Sequence, residues 1–238
     1  GLILGLGMIA VGRRRSMDSL LVVATIIALA ATFSFPDQSG VHRWIDLGAV
    51  HVNIAGLLLP LAIVALAEVR LATPVLLAAI AAIAALLVAQ PDASQATAFA
   101  VGGSLLLLGR RDLSAAVSLV AILGLAGLAL VGWLRPDSLL PVPEVEGVFG
   151  LLAAASLPFA AAAAVALATT SLSPLLRTSD PESRMPAGAP LAGYFATTAI
   201  MPLLGAYPVP LVGLGMSFPL GYCLGVALLF AKPGTGIR

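Results

Sequence analysis

Apolar segments follow one another through almost the whole chain, and they leave few folds open to it. Of the 238 residues, 60% are hydrophobic and only 10% are charged, and the mean hydropathy is +1.09. These values exclude an ordinary soluble domain and predict a membrane protein that crosses the bilayer several times.

A span needs about 20 apolar residues, and shorter segments cross when the bilayer thins or their end residues reach the interface. Nine segments qualify, of which the first, third and fifth are short. They are Gly1–Val11, Leu20–Phe35, Ile54–Ala67, Leu71–Ala89, Ala96–Leu108, Leu113–Trp133, Val148–Thr170, Leu191–Ala206 and Leu211–Ala231. Their continuous Ala, Leu, Ile and Val content favours helices packed through small residues. The sequence therefore predicts an all-α, polytopic transmembrane helical bundle that forms one integral membrane domain over residues 1–238.

Basic residues alternate between the connections in a way that predicts orientation. Ten of the twelve fall on one side of the nine-span topology: Arg13, Arg14, Arg15, Arg70, Arg110, Arg111, Arg177, Arg184, Lys232 and Arg238. The other side holds only Arg43 and Arg135. Cytoplasmic connections are enriched in Lys and Arg, so we expect a bacterial inner-membrane protein with its carboxyl terminus in the cytoplasm. Four connections then face outward: Pro36–Asn53, Gln90–Gln95, Arg135–Glu146 and Tyr207–Pro210.

Composition also argues against several kinds of site. The net charge is +1 and there is no basic stripe interleaved with aromatic residues, so nothing indicates nucleic-acid binding. A single cysteine, Cys223, excludes an internal disulfide and a thiolate metal cluster. His42 and His51 show no recognised ligand spacing, and they would bind a metal only if the loop brought them together with Asp46. We expect no metal and no cofactor.

The first outward connection concentrates the polar chemistry in the segment Arg43-Trp44-Ile45-Asp46-Leu47-Gly48. Composition alone favours a simple interpretation, in which Trp44 anchors the headgroup layer and Arg43 and Asp46 are solvated or paired with each other. In that interpretation Gly40 and Gly48 turn the chain.

The same segment resembles the motif between the third and fourth spans of the SEDS membrane proteins, the FtsW, RodA and SpoVE group. Three further stretches are similar to family motifs in the same order: Gln90-Pro91-Asp92, Pro143-Glu144 followed by Phe149, and the Pro- and Gly-rich stretch Pro202–Ser217. Of these, the Gln-Pro-Asp corner also has a local physical reason, since Pro91 ends a helix and Asp92 can cap the next one. Because the family has ten spans, the resemblance implies that these nine correspond to its second through tenth.

The resemblance implies a chemistry as well. SEDS enzymes polymerise lipid II into glycan strands beside a penicillin-binding protein, using a carboxylate in a long outer loop. Here that loop is short, and Asp137 is the aspartate left to deprotonate the attacking hydroxyl. Arg43 would contact a diphosphate, and Asp46, Asp92 and Glu144 would orient groups or hold a divalent cation if the chain is catalytic.

Several charged or polar residues of the family motifs are replaced here, mostly by Ala, Gly, Leu and Ile. The Gln-Pro-Ser-Glu motif reads Asn53-Ile54-Ala55-Gly56, and the lysine three residues later is Leu59. His-Thr-Asp reads Glu146-Gly147-Val148, and Gly-Glu-Glu reads Ala155-Ser156-Leu157. Ionisable residues inside a membrane are costly and are kept for function, so their loss indicates that the functional demand has lapsed.

Three functions follow as alternatives. The first is a degenerate, non-catalytic SEDS-like subunit that binds other integral membrane proteins or lipids. The second is a peptidoglycan glycosyltransferase or lipid-II-handling protein of cell division or cell shape, with a penicillin-binding protein as partner. The third, a transporter or channel, is weaker because the spans carry no midplane ion pair or internal repeat. In each case we place Arg43, Trp44, Asp46, Gln90, Asp92 and Glu144 in the outer loops that would contact a substrate or lipid or hold the structure.

Overall fold

A computed structural model of the chain describes residues 15–177 and 185–231. The first candidate span, Gly1–Val11, lies outside these residues. So do five of the charges used for the orientation: Arg13, Arg14, Arg184, Lys232 and Arg238.

Helices dominate the described part of the chain. The α-helices are α1 Arg15–Ala31, α2 Ile54–Glu68, α3 Thr73–Ala89, α4 Ala93–Gly109, α5 Ala115–Trp133, α6 Val148–Ala155, α7 Leu157–Leu172, α8 Ala189–Ile200 and α9 Ser217–Phe230. Short 3-10 helices extend three of them, at Thr32–Ser34, Ser173–Leu176 and Met201–Leu203. Eight of the nine candidate spans coincide with these helices, and the prediction of an all-α bundle is confirmed.

Three helical stretches are long and apolar enough to cross a bilayer on length and composition alone. They are Met17–Ser34, Ala115–Trp133 and Leu157–Leu176. The helices α2, α3, α4 and α9 are equally apolar but have 14 to 17 residues. At 1.5 Å per residue these reach about 21 to 26 Å, so local thinning or interfacial anchoring has to make up the remaining thickness.

Two spans differ in detail from the prediction. Val148–Thr170 is divided into α6 and α7, because Ser156 adopts an extended conformation (φ −166°) and Pro158 in the first turn of α7 cannot donate to the preceding helix. The last span begins as a helix only at Ser217, after a Pro- and Gly-rich segment that has little regular structure.

The helix α2 lies at the centre of the bundle, in contact with α1, α4, α8 and α9. Its side chains are almost all buried, including Leu59 and Ile63 at 0% exposure. Small residues let α9 approach closely: a Cβ on Gly221 would lie 2.2 Å from the carbonyl oxygen of Gly56. Close backbone approach of this kind is how membrane helices gain packing energy where lipid offers no hydrophobic driving force.

A β-hairpin connects α1 to α2, where the sequence suggested only a loop. Its strands are β1, Trp44–Leu47, and β2, Val50–Asn53, paired antiparallel with Trp44 opposite Asn53. The predicted role of the two glycines is confirmed, since Gly40 and Gly48 have φ values of +82° and +72°. The Asn53 side chain then accepts a hydrogen bond from the Gly56 amide (2.8 Å), so the hairpin passes directly into the capped start of α2.

Candidate functional site

The guanidinium of Arg43 joins three separate connections that the sequence predicted to face outward. Its Nη2 lies 2.5 Å from Oδ2 of Asp137, and its Nε lies 3.2 Å from Oδ2 of Asp92. Nη2 also donates to the carbonyl oxygen of Pro91. The contact with Asp92 is an ion pair and not a hydrogen bond, because Nε has no hydrogen-bond partner. These contacts place the hairpin, the Gln-Pro-Asp corner and the Arg135–Glu146 loop at one end of the bundle.

Asp92 holds the buried side of this cluster. The residue is 3% exposed, and its Oδ1 accepts from the Gln95 amide at 3.1 Å, which confirms the predicted cap of α4. Burial raises the pKa of the Asp92 carboxyl, while the charge of Arg43 and the Gln95 amide oppose that rise. The ion pair with Arg43 therefore stabilises a carboxylate that would otherwise be costly to bury.

Asp137 forms the solvent-facing side. Its side chain is 24% exposed, and its Oδ1 accepts from the Leu139 amide at 3.3 Å while Oδ2 accepts from Arg43. Burial disfavours the charged form of Arg43, but Asp92 and Asp137 outweigh it and raise the Arg43 pKa. We call Arg43, Asp92 and Asp137 the Arg43 cluster. Because it has two carboxylates and one guanidinium, its net charge is −1 when both carboxyls are ionised.

The expected pairing of Arg43 with Asp46 is wrong, and Arg43 is buried instead of solvated, whereas Asp46 remains partly exposed. Asp46 lies opposite His51 in the hairpin register, and its Oδ1 is 2.5 Å from Nδ1 of His51. Both side chains are partly exposed, at 29% and 54%. The reason is the two-residue period of a strand: Arg43 comes before β1 and turns inward, whereas Asp46 faces its cross-strand neighbour.

Three other predicted residues make none of the described contacts of the cluster. Gln90 is buried and its Nε2 donates to the Leu29 carbonyl oxygen (3.0 Å) and to Oγ1 of Thr32 (2.8 Å), so it ties α1 to the corner. Trp44 is half-buried in β1. Glu144 is exposed, and its backbone carbonyl accepts from the Leu214 amide at 3.0 Å.

Sequence reasoning missed the pairing of two aromatic residues, Trp133 and Tyr207. Trp133 packs edge-on against Tyr207 with ring centroids 5.6 Å apart, and its indole N–H donates to Oγ1 of Thr97 at 3.0 Å. Burial raises the pKa of Tyr207, and the charges of Asp137 and Asp92 raise it further, which places the phenol within electrostatic range of the cluster. The one available signal was a tyrosine between prolines in the stretch that resembles a family motif.

Glu146 is a further carboxylate close to the cluster. Its Oε2 accepts from the Val142 amide at 2.6 Å, which closes the turn in which it lies. Burial raises the Glu146 pKa, and the charge of Asp137 adds to the rise. Among the described residues, no group of three His, Cys, Asp or Glu side chains has a geometry that could hold a metal ion.

The positions where the resemblance implies charged side chains are either packed against neighbours or exposed on the outside of the bundle. A Cβ on Gly56 would lie 3.2 Å from the ring of Phe218, so the space that a longer side chain would need is occupied by an aromatic ring. Leu59 is fully buried in the apolar core. Leu157, at the break between α6 and α7, is 71% exposed on the outside of the bundle.

No protein-family model matches this sequence. No curated protein matches it either. The fold, in contrast, is similar to that of a mutant of the rod shape determining protein RodA from Thermus thermophilus, known from its crystal structure. The similarity covers 91% of this chain and 78% of that chain, with a TM-score of 0.52 and 17% sequence identity. At this identity the likeness establishes the fold, and the prediction of a SEDS-like transmembrane bundle is confirmed.

Proposed function

We propose that this SEDS-like membrane protein is a non-catalytic subunit of the bacterial inner membrane, which binds other integral membrane proteins or lipids. In this proposal the Arg43 cluster is a structural clamp between three outer loops. The observation that carries the proposal is the closed packing around Gly56, where the Phe218 ring occupies the space of a carboxylate expected from the resemblance.

The Arg43 contacts support a structural role. Arg43 is 4% exposed and both of its carboxylate partners come from other loops. A diphosphate could reach this guanidinium only by displacing Asp137 and by approaching two negative charges. Removing one partner of such a buried pair leaves an unpaired charge, which costs about 3 to 5 kcal/mol and makes the clamp a strong constraint on loop position.

The apolar packing around α2 supports the proposed loss of catalytic activity. Gly56 and Leu59 lie on α2, the central helix, and both are enclosed by neighbouring helices. Restoring a charged side chain at Gly56 would require α9 to move, because Phe218 and Gly221 already lie against the Gly56 region. Core packing of this density transmits strain and does not accommodate added atoms freely.

A second function is favoured by one observation. Asp137 keeps 24% of its side chain exposed and is fixed in place by Arg43, as a positioned carboxylate would be. In a lipid-II-handling glycosyltransferase of cell division or cell shape, Asp137 would accept the proton of the attacking hydroxyl. A divalent cation, if that chemistry requires one, would have to be shared with the substrate diphosphate, since the described residues offer no three-ligand group.

Reconstitution with labelled lipid II separates the two functions. The full chain in proteoliposomes is expected to yield no glycan polymer, while an established lipid-II polymerase in the same vesicles serves as the positive control. Polymer formation that is abolished by Asp137→Ala but retained in Asp37→Ala would refute the non-catalytic proposal and establish the second function. Asp37 is the matched control because it is an exposed aspartate of the Pro36–Asn53 connection and lies outside the Arg43 cluster.

Isolation under mild conditions tests the role as a subunit. We expect the chain to be recovered in stoichiometric complex with other integral membrane proteins, and with a penicillin-binding protein if the family's partner is retained. Recovery as a solitary monomer that turns over lipid II would contradict this expectation.

A further inference from the structure

The β-hairpin between α1 and α2 has two faces of different chemistry. In an antiparallel pair, residues directly opposite each other share a face, and so do alternate residues along one strand. The register places the pair Ile45–Val52 and the pair Leu47–Val50 on the same face, which is therefore apolar throughout. The opposite face carries the carboxylate–imidazole pair described above. The hairpin is thus amphipathic across its thickness.

The apolar face is packed at the root of the hairpin and exposed at its tip. Ile45 and Val52 are half-buried and pack against the hydrophobic core of the helices. Leu47 and Val50 are 64% and 57% exposed. Because the root pair contacts the core, this face is directed toward the bundle. The tip pair continues the same face beyond the part of the bundle that covers it.

The root of the hairpin is fixed where three helices end. The ring of Phe33, in the last turn of the apolar stretch Met17–Ser34, lies 5.1 Å from the ring of His42. Asn53 caps α2, and its backbone amide donates to Oγ of Ser217, the first residue of α9, at 3.0 Å. Since these helices belong to a transmembrane bundle, their ends place the root at the boundary of the hydrocarbon.

The length of the strands distinguishes two orientations of the hairpin. Leu47 is three residues beyond Trp44, which at 3.3 Å per residue corresponds to about 10 Å from root to tip. The headgroup layer is only about 5 to 8 Å thick. An upright hairpin would carry Leu47 through that layer into water, whereas a flat one keeps it at the boundary. The packing of Ile45 and Val52 on the core favours the flat orientation, because it turns the apolar face toward the membrane.

We propose that the hairpin lies flat on the leaflet at this end of the bundle, and that Leu47 and Val50 insert into the lipid surface just below the headgroups. The carboxylate–imidazole pair then faces water. Because the inserted side chains are apolar, the contact requires a lipid surface but no particular headgroup charge. Trp44 lies on the opposite face, so the membrane anchor of this connection is the Leu47–Val50 pair and not the tryptophan.

This interface goes beyond the proposed function and rests only on the transmembrane fold. Polymerisation of lipid II by the chain would leave the interface standing. A hairpin found in water would equally leave the non-catalytic proposal untouched.

Fluorescence of the full chain in phosphatidylcholine vesicles tests the position of the tip. Cys223→Ala removes the single cysteine, and Leu47→Cys then carries an environment-sensitive nitrobenzoxadiazole label. His51→Cys is the matched control, because it lies on the opposite face of the same hairpin and is also exposed. Val165→Cys, 64% exposed on α7, is the reference for a residue facing lipid.

The label at Leu47 should emit at a shorter wavelength than the label at His51. A phosphatidylcholine that carries a nitroxide near its glycerol backbone should quench the label at Leu47, as it does the reference. Aqueous iodide should quench the label at Leu47 several-fold less than the label at His51. Val50→Cys repeats the test on the other strand, should the unfolding midpoint show that labelling at Leu47 disturbs the fold.

Two results would overturn the proposal. Equal quenching by iodide at Leu47 and His51 would place the tip in water. Emission at short wavelength without quenching by the nitroxide lipid would show that a second copy of the chain, and not lipid, covers the pair.

Discussion

Replacing Arg43 by methionine tests whether the cluster is the clamp of the outer loops. Methionine keeps the apolar stem and removes the guanidinium, so Asp92 remains buried at 3% exposure without its ion pair. Breaking a buried pair in this way costs about 3 to 5 kcal/mol. For a chain of this size that corresponds to a fall of about 6 to 20 °C in the unfolding midpoint. Differential scanning fluorimetry of the purified protein at pH 7 measures this fall in the unfolding midpoint.

The loss should depend on pH with a definite sign. Burial already raises the Asp92 pKa above its ordinary value of about 3.9, and the loss of Arg43 removes the charge that opposes this rise. A carboxyl with a raised pKa in the folded state contributes stability that is complete below pH 4 and is lost as the pH rises through that pKa. The difference in stability between Arg43→Met and the unaltered protein should therefore be smallest in acid and largest at neutral pH.

A second substitution separates charge burial from lost packing. Asp92→Asn retains a side chain that can cap α4, so Arg43→Met combined with Asp92→Asn should recover part of the stability lost in Arg43→Met alone. Asp137→Asn should cost less, about 1 to 2 kcal/mol, because Asp137 is 24% exposed and its ion pair is screened. Arg135→Met is the exposed control. The clamp is refuted if Arg43→Met matches that control, or if the double variant is no more stable than the single one.

Two further substitutions test the interior of the bundle by the same thermal measurement. Gly221→Ala should destabilise the protein by about 1 to 3 kcal/mol, because the new Cβ would lie 2.2 Å from the Gly56 carbonyl oxygen. Gly124→Ala is the control and should have little effect, because a Cβ on Gly124 would face open space. Equal unfolding midpoints for the two variants would contradict the close contact of α2 and α9. Tyr194→Phe should lower the free energy of unfolding by about 1 to 3 kcal/mol, because it removes the 2.5 Å hydrogen bond to Gln95 and leaves the buried amide oxygen of Gln95 unsatisfied. An unchanged unfolding midpoint would show that this hydrogen bond does not contribute to stability.

Local signals in the sequence were sufficient for the helices and for one part of the site. The apolar segments gave the spans because a helix in lipid must satisfy every backbone group within itself, so length and hydropathy identify it. Asp92 was predicted to cap a helix and does so, because capping depends on residues only three positions apart. Gly40 and Gly48 were predicted to turn the chain for the same local reason.

Long-range pairing lay beyond sequence reasoning. Asp46, three residues along the chain, looked like the partner of Arg43, but the actual partners are 49 and 94 residues away. A one-residue difference in strand register decides whether a side chain faces the core or its neighbour, and composition does not encode that choice. The break at Ser156 was likewise hidden within a continuous apolar run.

The sequence by itself determined that this chain crosses a membrane as a helical bundle, where its connections fall, and which of its segments resemble SEDS motifs. Only the tertiary structure decided that Arg43 binds Asp92 and Asp137, that the Phe218 ring covers Gly56, and that the connection between α1 and α2 is a hairpin with one apolar face. The physical reason is range: hydropathy and capping act within one helical turn or span, whereas ion pairs, ring packing and strand pairing depend on which segments meet.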